Sequence, residues 1–104
     1  MKKNLAIVTG GYSGESVISL KSANFVKANV DTDAYNAYVV YIDEAKWVVL
    51  FGNEEVEINR HDFSFMLDGN KINVDIVYII IHGDPGENGK LQAYFELLKI
   101  PYTS

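Results

Sequence analysis

The feature that most constrains the fold is a short apolar run that ends in two glycines and leads into a helical pattern. Residues 5–9, Leu-Ala-Ile-Val-Thr, are almost continuously apolar, which is typical of a strand buried on both faces. Gly10 and Gly11 end this run. From Glu15 onward, apolar residues recur mostly on one side of a predicted helix that ends near Asn29, namely at Val17, Ile18, Leu20, Phe25 and Val26. The sequence therefore predicts a strand–loop–helix unit of the kind that builds parallel α/β sheets.

A second unit of this kind is predicted near the end of the sequence. Residues 75–81, DIVYIII, are the most apolar run in the chain and the best candidate for a central parallel strand. The glycine-rich segment HGDPGENG interrupts this run, and helical spacing returns over residues 90–99 with Asn88 as the candidate N-cap. The apolar positions of this predicted helix are Leu91, Tyr94, Phe95, Leu97 and Leu98. The final residues, IPYTS, begin another extended segment.

Between the two units the sequence predicts one further strand and two hairpins. The dipeptide Gly52-Asn53 suits a two-residue turn, and Asp68-Gly69-Asn70 separates the strands of the second hairpin. We expect an α/β fold with three layers, a mainly parallel sheet with right-handed crossovers, and one or two antiparallel hairpins. The strands expected in this middle part are residues 37–42, 46–51, 54–58, 63–67 and 71–74.

Composition narrows the class of protein. With 104 residues, 48% hydrophobic and 12% aromatic, the chain has the size and core material of one folded domain. The net charge is −5, and the only basic cluster is Lys2 and Lys3, so nucleic-acid binding is disfavoured. The chain contains no cysteine, which excludes disulfides and thiolate metal sites.

The sequence also bears on cellular location. The N-terminus lacks the apolar stretch of a secretion signal. The longest apolar run, residues 76–81, is far shorter than the ~18 residues needed to span a bilayer. We therefore expect a cytoplasmic protein without membrane association.

The two glycine-rich loops are the candidate functional site. In open parallel sheets, ligands bind beyond the carboxyl ends of the strands, where the chain order reverses. If residues 75–81 pair beside residues 5–9, Glu15 and His82 face one crevice. A helix N-terminus in that crevice offers unpaired N–H groups to an anion, whereas Glu15 could accept hydrogen bonds from a substrate amine.

Structural explanations compete with this hypothesis. The first loop has neither the P-loop lysine nor the spacing GxGxxG, so its glycines could serve only a tight turn. Glu15 could serve only the helix dipole, and His82 could bond only to loop backbone. Ser13 and Ser16 lie outside any GxSxG elbow and fit capping better than nucleophilic roles. The chain has only two histidines, and His61 lies in a polar connection, so a zinc site is disfavoured.

Two separated segments carry a family resemblance. GGYSGESVISLKSA, residues 10–23, and HGDPGENGKLQAYFELLKIPYTS, residues 82–104, together resemble the amino-terminal domain of D-alanine:D-alanine ligases, which are ATP-grasp carboxylate-amine ligases. The resemblance covers residues 1–104 and implies a Rossmann-like domain of the pre-ATP-grasp type. It departs from the common pattern at Asn88, where many members have aspartate, and at Val17, where many have a second acidic residue.

The resemblance also implies roles for individual residues. Glu15 is expected to receive the ammonium of the first D-alanine, and His82 to orient that substrate or stabilise developing negative charge. These two are the expected catalytic residues, and neither is expected to bind a metal. The residues expected to bind D-alanine are Gly10, Gly11, Ser13, Glu15, His82 and Gly83.

In the implied reaction, ATP phosphorylates one D-alanine, and the amine of a second D-alanine displaces phosphate, giving a dipeptide for peptidoglycan synthesis in a bacterium. ATP and magnesium are expected on the central and C-terminal domains, with no cofactor on residues 1–104. We therefore expect an inactive fragment of a ligase, and a homodimer in the family. The alternative hypothesis is a free-standing flavodoxin-like module for small-molecule binding or dimerisation, and further coding sequence with an ATP-grasp pattern would decide between them.

Overall fold

The computed structural model describes residues 2–10, 16–80 and 89–103, with side chains described for residues 2–10, 20–80 and 89–103. The described elements include two α-helices on a mixed sheet, and each predicted strand is present within one or two residues of its expected bounds. In chain order the elements are β1 (Lys3–Gly10), α1 (Ser16–Ala28), β2 (Tyr35–Ile42), β3 (Trp47–Phe51), β4 (Glu54–Glu57), β5 (Ser64–Leu67), β6 (Asn70–Asn73), β7 (Ile76–Ile79), α2 (Lys90–Leu98) and β8 (Tyr102–Thr103).

The strand order confirms the predicted α/β class. The main sheet has six strands in the order β4-β3-β2-β1-β7-β8, in which β2, β1, β7 and β8 are parallel. Both predicted hairpins form. The first does not decorate the sheet but extends it, because β3 pairs antiparallel with β2. Among the described strands, only β5 and β6 form a separate ribbon.

Strand β1 is buried on both faces, as its apolar run predicts. Leu5 and Ile7 pack with Ala23 of α1 on one side of the sheet. Ala6 and Val8 belong to the larger cluster on the opposite side, which contains α2 and the β5–β6 ribbon. Alternate side chains of β1 therefore enter two separate cores, one on each face of the sheet. The sheet is the middle layer of three.

The predicted apolar faces of the helices are wrong at one position each. Phe25 in α1 is 71% exposed, and Leu97 in α2 is 83% exposed. Each lies two residues after a fully buried side chain, Ala23 and Phe95 respectively. Two residues correspond to about 200° around a helix, so Phe25 and Leu97 lie off the buried sides of the helices that Ala23 and Phe95 mark. The side chains of residues 17 and 18, also assigned to the apolar face, lie outside the described set.

The start of α2 also differs from the prediction. Gly89, with φ +84°, occupies the N-cap position, and no side chain caps the helix there. A glycine is well suited to this left-handed backbone. Asn88, the predicted N-cap, lies outside the described residues.

The described helices are too short or too polar to cross a membrane. Helix α1 has 13 residues and α2 has nine, whereas a bilayer crossing needs about 20.

The turn that enters β5 holds a carboxylate with a lowered pKa. The Ser64 hydroxyl and backbone amide both donate hydrogen bonds to Asp62 Oδ1, and the Lys71 ammonium lies 2.9 Å from Asp62 Oδ2. The hydrogen bond from the Ser64 hydroxyl, followed by that from Lys71, lowers the pKa of Asp62 to about 2. Because these partners favour the ionised carboxylate, they stabilise the entrance to the β5–β6 ribbon only while Asp62 is charged.

This geometry predicts an acid-sensitive contribution to stability. A carboxyl whose pKa is about 2 in the folded protein, against an ordinary aspartate value of 3.8, stabilises the fold at higher pH and loses that effect as pH falls through this interval. Wild type should therefore be more stable than Asp62→Asn at pH 6, and the difference should shrink as pH falls from about 4 to 2. The midpoints of urea unfolding, measured for both proteins across this pH range, give the difference in stability. A difference that does not change with pH would contradict the assignment.

Candidate functional site at the carboxyl ends of β1 and β7

The pairing of β1 with β7 creates a point where the chain order reverses. The two strands are parallel neighbours, with Val8 opposite Ile79, and the Ile80 amide donates to the Val8 carbonyl at 2.7 Å. From β1 the chain passes through α1 to β2, and from β7 it passes through α2 to β8 on the other side. The two helices pack on opposite faces. Such a switch point is where open α/β sheets bind ligands.

The described residues that border the two predicted site loops converge there. Gly10 ends β1 and Ile80 directly follows β7, and the register places both at the same sheet edge. The loops themselves carry most of the predicted site. Gly11, Ser13, Glu15, His82 and Gly83 lie outside the described residues, so their roles stay predictions.

Gly10 is the one predicted site residue that the structure describes, and its backbone explains why glycine stands there. Its φ is +106°, a value that residues with a side chain rarely adopt. A Cβ would overlap the carbonyl oxygen of Ile42 and lie 2.9 Å from the Ile42 nitrogen. The end of β2 therefore excludes a side chain at Gly10, whether or not a substrate approaches it.

Thr9 places an unpaired hydroxyl beside Gly10. Its side chain is fully buried, and Oγ1 has no hydrogen-bond partner among the residues that the structure describes. Alternation from Leu5 and Ile7 places it on the α1 side of the sheet. Buried hydroxyls are seldom left unpaired. The apolar pattern assigns Thr9 only to the strand, although a polar residue at the end of an apolar run is a signal for a site.

An aromatic cluster anchors α2 and with it the end of the second loop. The Tyr94 ring meets Trp47 and Phe63 edge to face, at centroid distances of 5.3 and 6.0 Å. The Tyr94 hydroxyl donates to the Arg60 carbonyl, and the Arg60 guanidinium lies 4.7 Å from the Trp47 ring centroid. Burial, and secondarily the charge of Asp62, raises the pKa of Tyr94 to about 12. A neutral, packed Tyr94 thus fixes α2 against the sheet.

A groove in the described surface lies at the opposite edge of the sheet. This groove, of about 520 Å³, includes Lys2, Lys27, Tyr35 and Leu50 in its lining. Tyr35 is the first residue of β2, so the groove faces the amino ends of the parallel strands, where such sheets do not usually bind ligands.

The described residues contain no group of three metal-ligating side chains. His61 is exposed in the turn before β5, as its polar surroundings predict, and its backbone amide donates to Asn59 Oδ1.

Comparison with known proteins identifies the family. A model of the D-ala D-ala ligase N-terminus matches residues 4–104. The chain belongs to this family. A D-alanine–D-alanine ligase from Azobacteroides pseudotrichonymphae genomovar. CFP2 is 54% identical over 102 residues, covering 97% of this chain and 32% of the relative. A ligase of the same name from Phocaeicola vulgatus is 50% identical over 105 residues, covering 100% of this chain and 32% of the relative.

A solved structure of the family has the same fold. D-alanyl-alanine synthetase A from Vibrio cholerae O1 biovar eltor matches with a TM-score of 0.82 and 30% identity, covering 98% of this chain and 31% of that one. The chain thus spans about a third of the length of the relatives that it matches, and it corresponds to their N-terminal domain.

The environment of Gly10 in this ligase domain predicts a large effect of one methyl group. Gly10→Ala should lower the free energy of unfolding by roughly 2–6 kcal/mol, because backbone strain and a backbone clash each cost about 1–3 kcal/mol. The matched control is Gly52→Ala, at φ +61° with open space around it, which should cost only ~1–2 kcal/mol. Urea denaturation followed by fluorescence of the one tryptophan measures both. Equal losses in the two variants would contradict the proposed clash with Ile42.

Proposed function

We propose that this domain forms one wall of the D-alanine site in a D-alanine–D-alanine ligase. The observation that carries the proposal is the parallel pairing of β1 with β7. It places the ends of two loops at one sheet edge, and those loops hold the residues that resemble the family's substrate motifs. Family membership over residues 4–104 supports the same conclusion.

In this proposal Glu15 binds the ammonium of the first D-alanine. The sequence places Glu15 directly before Ser16, the first residue of α1. An ionised carboxylate that accepts a hydrogen bond from an ammonium forms a charge-assisted pair, which is stronger than a neutral hydrogen bond. His82, which follows β7 by three residues, is proposed to orient the same substrate or to stabilise negative charge that develops on it.

The full reaction needs more protein than this domain. Phosphoryl transfer from ATP to the carboxylate of one D-alanine gives an acyl phosphate and ADP. The amine of a second D-alanine then attacks that carbonyl, and phosphate leaves as the peptide bond forms. We propose that ATP and magnesium bind to the remaining two thirds of the ligase, so that residues 1–104 alone catalyse no ligation. The dipeptide would serve peptidoglycan synthesis in the bacterial cytoplasm. We also propose that the ligase forms a homodimer.

The charge of Glu15 gives the direct test. We consider residues 1–104 fused to the residues that follow the matched region in the Phocaeicola vulgatus relative. In this chimera Glu15→Gln should lower kcat/KM for the first D-alanine by 10- to 150-fold, because losing a charge-assisted hydrogen bond costs about 1.5–3 kcal/mol. The affinity for ATP should be nearly unchanged. Steady-state kinetics with each substrate varied in turn measure these effects.

The matched control for Glu15 is Glu54, an exposed glutamate at the start of β4. Since β3 runs antiparallel to β2, Glu54 lies at the edge of the sheet opposite the candidate site. Glu54→Gln should leave kcat/KM unchanged. If Glu15→Gln instead keeps normal D-alanine kinetics and only loses stability, Glu15 is a residue of the helix start and the assignment is wrong.

A further inference from the structure

Among the described residues, strand β7 is fully covered on only one of its two faces. Val77 and Ile79 are buried against the α2 side of the sheet. On the α1 side, Ile76 and Ile80 are half-buried, and Tyr78 is 36% exposed. Strands that have parallel neighbours on both sides, as β7 has in β1 and β8, are normally covered on both faces. Ile76 and Ile80 pack at the margin of the core that holds Ala23, so the described residues cover the α1 side of β7 only in part.

The partly covered face continues onto α1. Phe25 is 71% exposed, and together with Val26, Tyr78 and Ile80 it lines a concave surface of about 470 Å³. We call these four residues the Phe25 patch. Lys21 and Ser22 complete its lining. Two aromatic and two branched aliphatic side chains in one concavity form a site that favours an apolar occupant.

The course of the chain indicates what that occupant is. Strand β8 pairs with β7 so that Thr103 lies opposite Tyr78. Polypeptide that follows Thr103 therefore starts beside the Phe25 patch. The matched relatives are about three times as long as this chain, and the matched part is their N-terminus, so in them some two thirds of the protein follows this point.

We propose that the Phe25 patch is the docking surface for the segment that directly follows β8 in the full-length ligase. The occupant packs apolar side chains against Phe25 and Tyr78 and completes the cover of β7. The patch thereby joins the N-terminal domain to the rest of the enzyme. The docking proposal rests on family membership and on the exposure of β7, not on the roles of Glu15 or His82. The docking proposal and the proposed D-alanine site can therefore fail independently.

The size of the patch favours this occupant over a second copy of the chain. Stable interfaces between separate proteins bury about 800 Å² and 20–30 residues on each partner, whereas the patch has four apolar residues. A small contact is sufficient when the two parts are covalently linked, because the linkage removes most of the entropic cost of association.

Hydroxyl-radical footprinting tests the proposal by measuring the oxidation rate of individual side chains. The two samples are the 104-residue protein and the chimera with the remaining part of the Phocaeicola vulgatus relative. Oxidation of Phe25 and Tyr78 should slow at least threefold in the chimera. Phe51, 41% exposed on the distant strand β3, is the internal control and should react equally in both samples. In the chimera carrying Phe25→Asp, the oxidation rate of Tyr78 should return toward that of the 104-residue protein.

Three results would overturn the proposal. Phe25 and Tyr78 could react equally fast in both proteins, or Phe51 could slow as much as they do, which would indicate general shielding. Alternatively, Phe25 and Tyr78 in the 104-residue protein could already be protected in a concentration-dependent manner, with a dimer seen by light scattering. That last result would assign the patch to a second copy.

Discussion

The rest of the structure depends on the parallel pairing of β1 with β7. These strands are far apart in the sequence, and Asn4 fixes their register at the amino ends. The Asn4 amide donates to Asp75 Oδ2 at 2.7 Å, its side-chain amide donates to the Asn73 carbonyl at 2.9 Å, and its carbonyl accepts from the Asp75 amide. A slip of one residue would turn every side chain of β7 to the wrong face. The same pairing, carried to the carboxyl ends, brings the two glycine-rich loops to one edge.

Much of this fold could be predicted because the strong signals are local. Continuous apolar runs identify β1 and β7, and Gly52 marks the tip of the β3–β4 hairpin at φ +61°. Which strand pairs with the free edge of another depends on the whole fold and not on local sequence. The sequence therefore did not reveal that β3 pairs with β2 and continues the main sheet. Spacing alone also did not separate Phe25, which faces outward, from Ala23, because apolar character is the same in a core and in a surface that another segment covers.

The candidate site was predicted in a different way. The roles of Glu15 and His82 come from the family motifs, and both residues lie outside the described part of the chain. What the structure adds is their setting: a switch point between two helices on opposite faces, and a glycine that Ile42 keeps free of a side chain. The clash with Ile42 involves residues 32 positions apart, and no periodicity contains that information. The state of the Thr9 hydroxyl could not be predicted from local sequence either. That it lacks a hydrogen-bond partner among the described residues is visible only once its neighbours are placed.

The most direct test of this account is a titration of the 104-residue protein with D-alanine, followed residue by residue in ¹H–¹⁵N spectra. Half of a binding site makes few contacts against the cost of association, so we expect weak, millimolar binding. We expect the largest shifts at the carboxyl ends of β1 and β7, at Gly10 and Ile80, and smaller shifts with L-alanine. Shifts centred instead on Tyr35 and Leu50 in the groove at the amino edge, or equal responses to the two enantiomers, would contradict it.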